Sequence, residues 1–200
     1  MIEPSSNKLK ARASAKASKR DARKRQLADS ALVALGRYGY ANTSMRDIAE
    51  QAGLSLGLLH YYFEDKDHLL IDCVSRYKDG FLTSVDAVLQ TLSAPEARME
   101  LLARHLSRTL TTDAATHRLW YDIRIQSTFN DVFAPMVTSI EQRLVDLMRH
   151  VASDEKAACE RLYVGLDGLF LHCLEKLLEG QPLAVADMEA AFIDVMQRLR

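Results

Sequence analysis

Glycine and proline are scarce in this 200-residue chain, at eight and four residues, and clear alternation of apolar with polar residues is rare. These shortages disfavour sheets, while Ala, Leu, Arg, Asp and Glu dominate and favour helix, so an all-α fold is expected. Cysteine is scarce as well. Cys73, Cys159 and Cys173 form an odd set with no C-x-x-C pair, each among apolar neighbours, which excludes a disulfide framework and reads as buried thiols in a reducing cytoplasm. No run approaches the roughly 18 apolar residues of a membrane span, and the N-terminus lacks the apolar stretch of a secretory signal, so a cytoplasmic chain without a membrane partner is expected. The 48% apolar content still suffices for a sizeable core.

Catalytic constellations are missing too. There is no H-E-x-x-H, no glycine-rich phosphate loop, no G-x-S-x-G and no pair of Glu-x-x-His motifs. The one related spacing, Asp65-x-x-His68, has no partner ligands, and a helix-capping role accounts for Asp65. Neither an enzyme nor a metal or cofactor is expected.

What is abundant is positive charge at one end. Residues 1–25 hold Lys8, Lys10, Arg12, Lys16, Lys19, Arg20, Arg23, Lys24 and Arg25 against Glu3 and Asp21, a net +7, which leaves −8 for the remaining 175 residues. Residues 1–20 have almost no bulky apolar side chain to offset the entropy of ordering, so they read as a basic, flexible arm.

From about Arg23 a 3.6-residue pattern begins, with Leu27, Ala31, Leu35 and Tyr38 on one face and Val33 and Ala34 beside it, ending at Gly36 to Gly39. Thr43 and Ser44 suit the N-cap of a short helix through Ala52 with Ile48, Ala49 and Ala52 facing the core, and Gly53 ends it. Only Leu54 separates that glycine from Ser55, which caps a second short helix to about Phe63, with Leu58, Leu59 and Phe63 as its apolar positions. Two short helices joined so tightly must cross steeply, as in a helix-turn-helix.

The second of these helices is the candidate DNA reader, presenting Ser55, Leu56 and Gly57 at its N-terminus and His60 and Tyr61 on the same side. One amphipathic stripe cannot bury His60, Tyr61 and Tyr62 together, so at least one ring meets solvent or a partner. Hydroxyls and unpaired N–H groups at helix N-termini suit phosphate contacts, which Thr43, Ser44 and Ser55 supply. Arg46 in the first turn of the preceding helix can reach a guanine edge or a phosphate, and Lys66 lies beside the reader.

The run Thr43-Ser-Met-Arg-Asp-Ile-Ala-Glu-Gln-Ala-Gly-Leu-Ser-Leu-Gly-Leu-Leu-His-Tyr-Tyr-Phe-Glu-Asp-Lys66, followed by Leu69-Leu70, closely resembles the N-terminal domain of TetR-type transcriptional regulators over about residues 24–72. That resemblance implies a dimeric all-helical regulator, most often a repressor. Its N-terminal three helices bind a near-palindromic operator, and a helical bundle dimerises and takes a small-molecule inducer. Carried over by position, Ser44, Arg46, Ser55, Leu56, Gly57, His60, Tyr61, Tyr62 and Lys66 match DNA-contact places, while Ile48, Ala52, Leu54, Leu59 and Phe63 match core. His60 departs from the tyrosine usual there, placing an imidazole where a phenol ordinarily makes the contact. The implied organisation is a basic arm over 1–20, a DNA-binding domain over 21–66 and a ligand-binding and dimerisation domain over 67–200.

Residues 26–72 carry only Arg37, Arg46 and Lys66 against seven acids, a net −4, so attraction to DNA must come largely from the arm. Phosphate contact, minor-groove insertion and a solubility tail are the readings open for that arm, with DNA contact favoured.

In the second half, Asp65 caps a long helix carrying Leu69, Leu70, Cys73, Val74, Tyr77, Phe81, Val85 and Leu89 before Pro95 interrupts it. Further helical patterns cover about 97–110, 114–129, 132–151, 155–178 and 186–199. The helix 161–178 is apolar on two sides, with Leu162, Leu166, Leu169 and Cys173 in one row and Tyr163, Phe170, Leu174 and Leu177 in another. Either it runs through the bundle centre or one row faces a second copy; the dimer reading is favoured. Leu119-Trp120 and Gly165-Leu-Asp-Gly-Leu-Phe170-Leu are similar to the branch of the family that includes the repressor of betaine synthesis. Trp120, Tyr121, Phe129, Phe133, Met136 and Phe170 are candidates to line an apolar pocket in which Asp167 orients a cationic ligand; packed core is the competing reading for each. The alternative function is a helical adaptor for small molecules or proteins that has lost DNA binding.

Overall fold

The computed structural model describes the backbone from Pro4 to Arg200 and the side chains from Ser14 onward; expectations for residues 1–3 and for the side chains of Lys8, Lys10 and Arg12 lie outside the described residues. The described chain is helical throughout, with no strand among the described residues, and divides into two compact units, residues 1–73 and 74–200.

The first unit holds α1 (Pro4–Tyr38), α2 (Met45–Gln51), α3 (Leu56–Tyr62) and the opening turns of α4 (Lys66–Leu89). Periodicity places the start of the first helix near Arg23, after a flexible arm. The structure instead continues that helix back to Pro4, which corrects the expected start. Ala, Lys and Arg favour helix, and once the packed turns from Leu27 onward exist, each added residue gains a backbone hydrogen bond without a new nucleus. Side chains 14–20 are all exposed, so this extension rests mainly on propensity and backbone bonds.

Leu27, Ala28, Ala31, Ala34 and Leu35 of α1 are buried against Ile48 and Ala49 of α2, Leu59 of α3, Phe63, and Leu69, Leu70 and Cys73 of α4, while α1 contacts α2 and α2 contacts α3. Val33 faces solvent, and Tyr38 is partly exposed, its hydroxyl donating to Gln51 Oε1 at 3.3 Å. The Cys73 thiol donates to the Ala28 carbonyl, which ties the start of α4 to α1. The first compact unit thus takes in the opening turns of α4 as far as Cys73.

The second unit holds the rest of α4 with α5 (Pro95–Thr112), α6 (Ala114–Gln126), α7 (Ala134–Leu147), a 3₁₀ turn (Met148–His150), α8 (Lys156–Leu178) and α9 (Val185–Leu199). Pro95 opens α5 at its first position, where a missing N–H costs nothing, while α4 has already ended at Leu89. Gly180, at φ +75°, takes the left-handed conformation that ends α8.

Helix α8 contacts α5, α6, α7 and α9 of its own bundle and keeps a further side exposed at Arg161, Val164 and Gly168. Leu162, Leu166 and Cys173 are buried inside this chain's own bundle and Leu169 is half-buried. For Leu162, Leu166 and Cys173 the expectation of facing a second copy is therefore corrected, because a side chain already enclosed by its own bundle cannot also meet a partner. Gly165 allows the closest approach, since a Cβ there would stand 2.4 Å from Leu199 Cδ1 and 3.2 Å from Val195 Cγ1 of α9. Among the described residues no helix is long and apolar enough to cross a membrane.

Candidate DNA interface and ligand cavity

Ser44, not Thr43, caps α2. Its hydroxyl accepts from the Asp47 N–H at 3.2 Å, and its own N–H donates to Asp47 Oδ2 at 2.8 Å, a reciprocal capping box. The Ser44 hydroxyl, followed by its N–H, holds the Asp47 carboxyl below the usual carboxylate range. Thr43 is buried and donates to the Gly39 carbonyl at 2.5 Å, so the phosphate contact suggested for it has no free hydroxyl.

The turn between α2 and α3 follows from Gly53. At φ +65° it lets the Leu54 N–H reach the Ala49 carbonyl at 2.8 Å while its own N–H reaches the Glu50 carbonyl at 3.1 Å, the two bonds of a Schellman motif. Ser55 then caps α3, accepting from the Leu58 N–H at 3.2 Å. Leu59 and Phe63 are buried beneath, and the opposite side of α3 presents Ser55, Gly57, His60 and Tyr61 to solvent, with Leu56 and Tyr62 half-buried at its edges. Tyr61 is 65% exposed and meets Tyr62 edge-on with ring centroids 4.9 Å apart, so the aromatic run divides between surface and rim as its spacing requires. Arg46 is exposed in the first turn of α2.

Lys66 is employed elsewhere. Its ammonium donates to the carbonyls of Tyr40 and Thr43, each at 2.9 Å, and lies 4.1 Å above the Tyr40 ring, pinning the loop that leads into α2. Two basic residues to which sequence reasoning gives no individual role, Arg20 at the end of the arm and Lys24 just after it, lie against the reader region. Arg20 lies 5.6 Å over the Tyr61 ring, and Lys24 lies 5.1 Å over the Phe63 ring while pairing with Asp72 at 2.7 Å. A signal for this exists in the sequence, because residues 20 and 24 extend the stripe of Leu27, Ala31 and Leu35 backward in steps of one helical turn.

The second unit encloses a cavity of about 60 Å³. Its rings are Phe81, Trp120, Tyr121, Tyr163 and Phe170; its aliphatic wall includes Leu102, Leu106, Leu144 and Leu166; its polar groups are Lys78, His117 and Asp167. Trp120, Tyr121, Asp167 and Phe170 are expected there from the sequence. Phe129, Phe133 and Met136 do not line it: Phe129 is 84% exposed beyond the end of α6, and Phe133 is buried at the start of α7. The helical pattern that runs through to residue 129 in the sequence ends at Gln126 in the structure, which takes these side chains off the expected face.

Asp167 is already satisfied. It accepts from the Tyr121 hydroxyl at 2.9 Å and pairs with Arg124 at 2.6 Å, and Arg124 also reaches Glu141 at 2.5 Å. Lys78, which sequence reasoning misses, is only 5% exposed, with its ammonium 4.6 Å above the Trp120 ring. Burial pushes its amine down to about 7 against an upward pull from Asp167, and the Arg124 charge adds to the downward push. Burial, then the Lys78 charge, holds the His117 imidazole far below its ordinary value; its Nε2 meets Thr109 Oγ1 at 2.7 Å and the Tyr77 hydroxyl at 3.1 Å. His117 Nδ1 and the Tyr163 hydroxyl are buried without a hydrogen bond. Among the described residues no three His, Cys, Asp or Glu side chains gather as a metal site.

A surface helix held by a Schellman turn, with its inner face in a three-helix core, defines a helix-turn-helix protein with a separate cavity-bearing helical unit. Residues 27–73 match the family described as bacterial regulatory proteins of the tetR family. Over 178 residues the chain is 25% identical to the HTH-type transcriptional regulator BetI of Agrobacterium fabrum, covering 86% of this chain and 85% of that one. Among solved structures it resembles a TetR-family member from Streptomyces coelicolor A3, with TM-score 0.70, 27% identity and coverage of 88% and 97%. It also resembles the multidrug binding protein EbrR complexed with proflavin, with TM-score 0.62, 27% identity and coverage of 89% and 99%. Residues 27–73 are thus a DNA-binding domain of the tetR type, and the chain as a whole is similar to TetR-family regulators of the BetI kind.

Proposed function

We propose that the chain is a cytoplasmic, dimeric repressor that binds a near-palindromic operator through α2 and α3 and is released when a small molecule enters the cavity of the second unit. The observation that carries the DNA half is the free face of α3, where His60 and Tyr61 stand beside Ser55 and Gly57 with Arg46 and Arg20 at hand. Two such helices, one from each protomer, would enter successive major grooves about 34 to 36 Å apart. Ser44 and Ser55 act as helix caps and offer phosphate contacts at the same place, while Leu56 and Tyr62 supply the rim of the contact.

The dimer reading moves to another side of α8. Ala157, Arg161, Val164 and Gly168 are exposed and follow one another at helical spacing, with small residues that permit close approach to a second copy. For the ligand half, the TetR-family likeness and the proflavin complex of EbrR support a ligand in the helical unit. A cavity of about 60 Å³ admits one or two waters and no sizeable ligand. An inducer must therefore bind a wider state, and that difference in affinity is what a shift between DNA-fitting and non-fitting dimers requires. The coupling would run through α4, which belongs to both units. A regulator of this kind requires no catalytic group.

The test is a gel shift with the DNA upstream of the chain's own gene. A retarded band at low salt that disappears on Arg46→Ala is expected. Absence of any shift across the whole region would sink the repressor reading in favour of the adaptor.

A further inference from the structure

The cavity holds a buried lysine that no carboxylate pairs with directly. Asp167 is its one lining carboxylate, and Arg124 and the Tyr121 hydroxyl already occupy that group. Lys78 keeps its ammonium over Trp120 with no hydrogen bond or ion pair reaching it among the described residues. The Tyr163 hydroxyl, on the same cavity, is buried with its hydrogen-bonding capacity unused. A buried cation without a partner and a buried hydroxyl without an acceptor are both costly, and an anion with a lone pair to accept from each relieves both at once.

Resting on the reading of this cavity as the inducer site, we infer that its ligand is a small apolar molecule carrying a single carboxylate, with Lys78 as counter-ion and the Tyr163 hydroxyl as a hydrogen-bond donor. Phe81, Trp120 and Phe170 take the apolar body. Lys78 is the one Lys or Arg side chain in the lining, which calls for a single carboxylate, since a second would find no cation of its own there. A cationic ligand steered by Asp167, as the sequence alone suggests, would have to displace Arg124 and stand against Lys78. The lone imidazole nitrogen, His117 Nδ1, lies in the same lining and can donate to the carboxylate when Thr109 donates to Nε2.

The experiment uses the full chain and two matched probe series: benzoate, benzamide and benzamidinium, and octanoate, octanamide and octylammonium. Binding is read by calorimetry and thermal shift, and release from upstream DNA by gel shift. In at least one series the carboxylate binds at least about tenfold tighter than its amide, and the cation more weakly than either. Lys78→Met removes the preference for carboxylate while keeping the affinity for the amide, and Tyr163→Phe weakens carboxylate binding by about three- to tenfold. Tighter binding of the amidinium or ammonium, equal carboxylate binding in Lys78→Met, or no carboxylate binding at about 10 mM overturns the inference. Lys78-dependent carboxylate binding that leaves DNA binding unaltered supports the ligand class and removes the inducer reading. DNA release by the amides or cations without dependence on Lys78 does the reverse.

Discussion

The Arg20 guanidinium sits over the ring of Tyr61, so the basic stretch before the helix-turn-helix reaches the exposed side of the reader helix. The position matters because residues 26–72 are net negative on their own. Each phosphate that a protein neutralises adds about 0.9 to the slope of log affinity against log salt, so deleting residues 1–20 should lower that slope by about 2 or more. Arg20→Ala alone should lower it by about 1. Gel shifts between low and moderate salt measure both, and an unchanged slope for the deletion would reject a DNA role for this segment.

Lys66 provides a contrast in which a basic residue near DNA acts through the fold. Its two bonds to the Tyr40 and Thr43 carbonyls hold the loop on which the Ser44 cap depends. Lys66→Met should destabilise the first unit by about 1.5 to 3 kcal/mol, the range for hydrogen bonds made by a charged group. Operator affinity should fall while the salt slope changes by less than the share of one phosphate. A slope lowered by about 0.9 with unaltered thermal stability would return Lys66 to the phosphate-binding set.

How much of this is legible in the sequence depends on whether local signals suffice. Ser44, Gly53 and Ser55 act within a few residues of chain, and the helix-turn-helix can be read from them directly. The start of α1 is hidden because composition argues against burial, and burial is not what extends it. Leu162, Leu166 and Cys173 read as outward-facing because periodicity cannot say which of two apolar rows meets a neighbour in the same bundle. Lys78 escapes notice for a related reason: a lysine inside a helical pattern reads as solvated until α5, α6 and α8 are seen to close around it.

Lys78 also sets a dependence of stability on pH. In the unfolded chain its amine titrates near its ordinary value of 10.5, whereas in the fold burial brings it down to about 7, with Asp167, Arg124 and His117 as the charged and titratable groups around it. Between those two values the unfolded chain binds the proton that the folded chain has released, so this group makes stability rise with pH. Below about pH 7 both states hold the proton and the penalty is at its greatest. Lys78→Met should therefore be more stable than the parent by about 1 to 4 kcal/mol at pH 6, with a gain that shrinks by pH 9. Urea unfolding of both proteins at the two pH values measures this; a gain independent of pH would mean that the ammonium is solvated in the fold.

The exposed side of α8 is where the proposed contact between copies is most sharply told from the core. Val164 is 67% exposed in the single chain, whereas Leu166, two residues on, is buried. On a twofold axis, or close to it, residue 164 of one protomer would meet the corresponding stripe of the other, so Val164→Arg would set like charges together in a contact that must exclude water. Because the side chain is free in the monomer, the substitution should change the stability of the isolated fold by no more than about 0.5 kcal/mol. Sedimentation should then show a folded monomer that binds upstream DNA far more weakly than the parent. Leu166→Ala should do the opposite, costing about 2 to 5 kcal/mol of stability while leaving the folded fraction dimeric. A Val164→Arg protein that still sediments as a dimer would place the contact between copies on another face of the bundle.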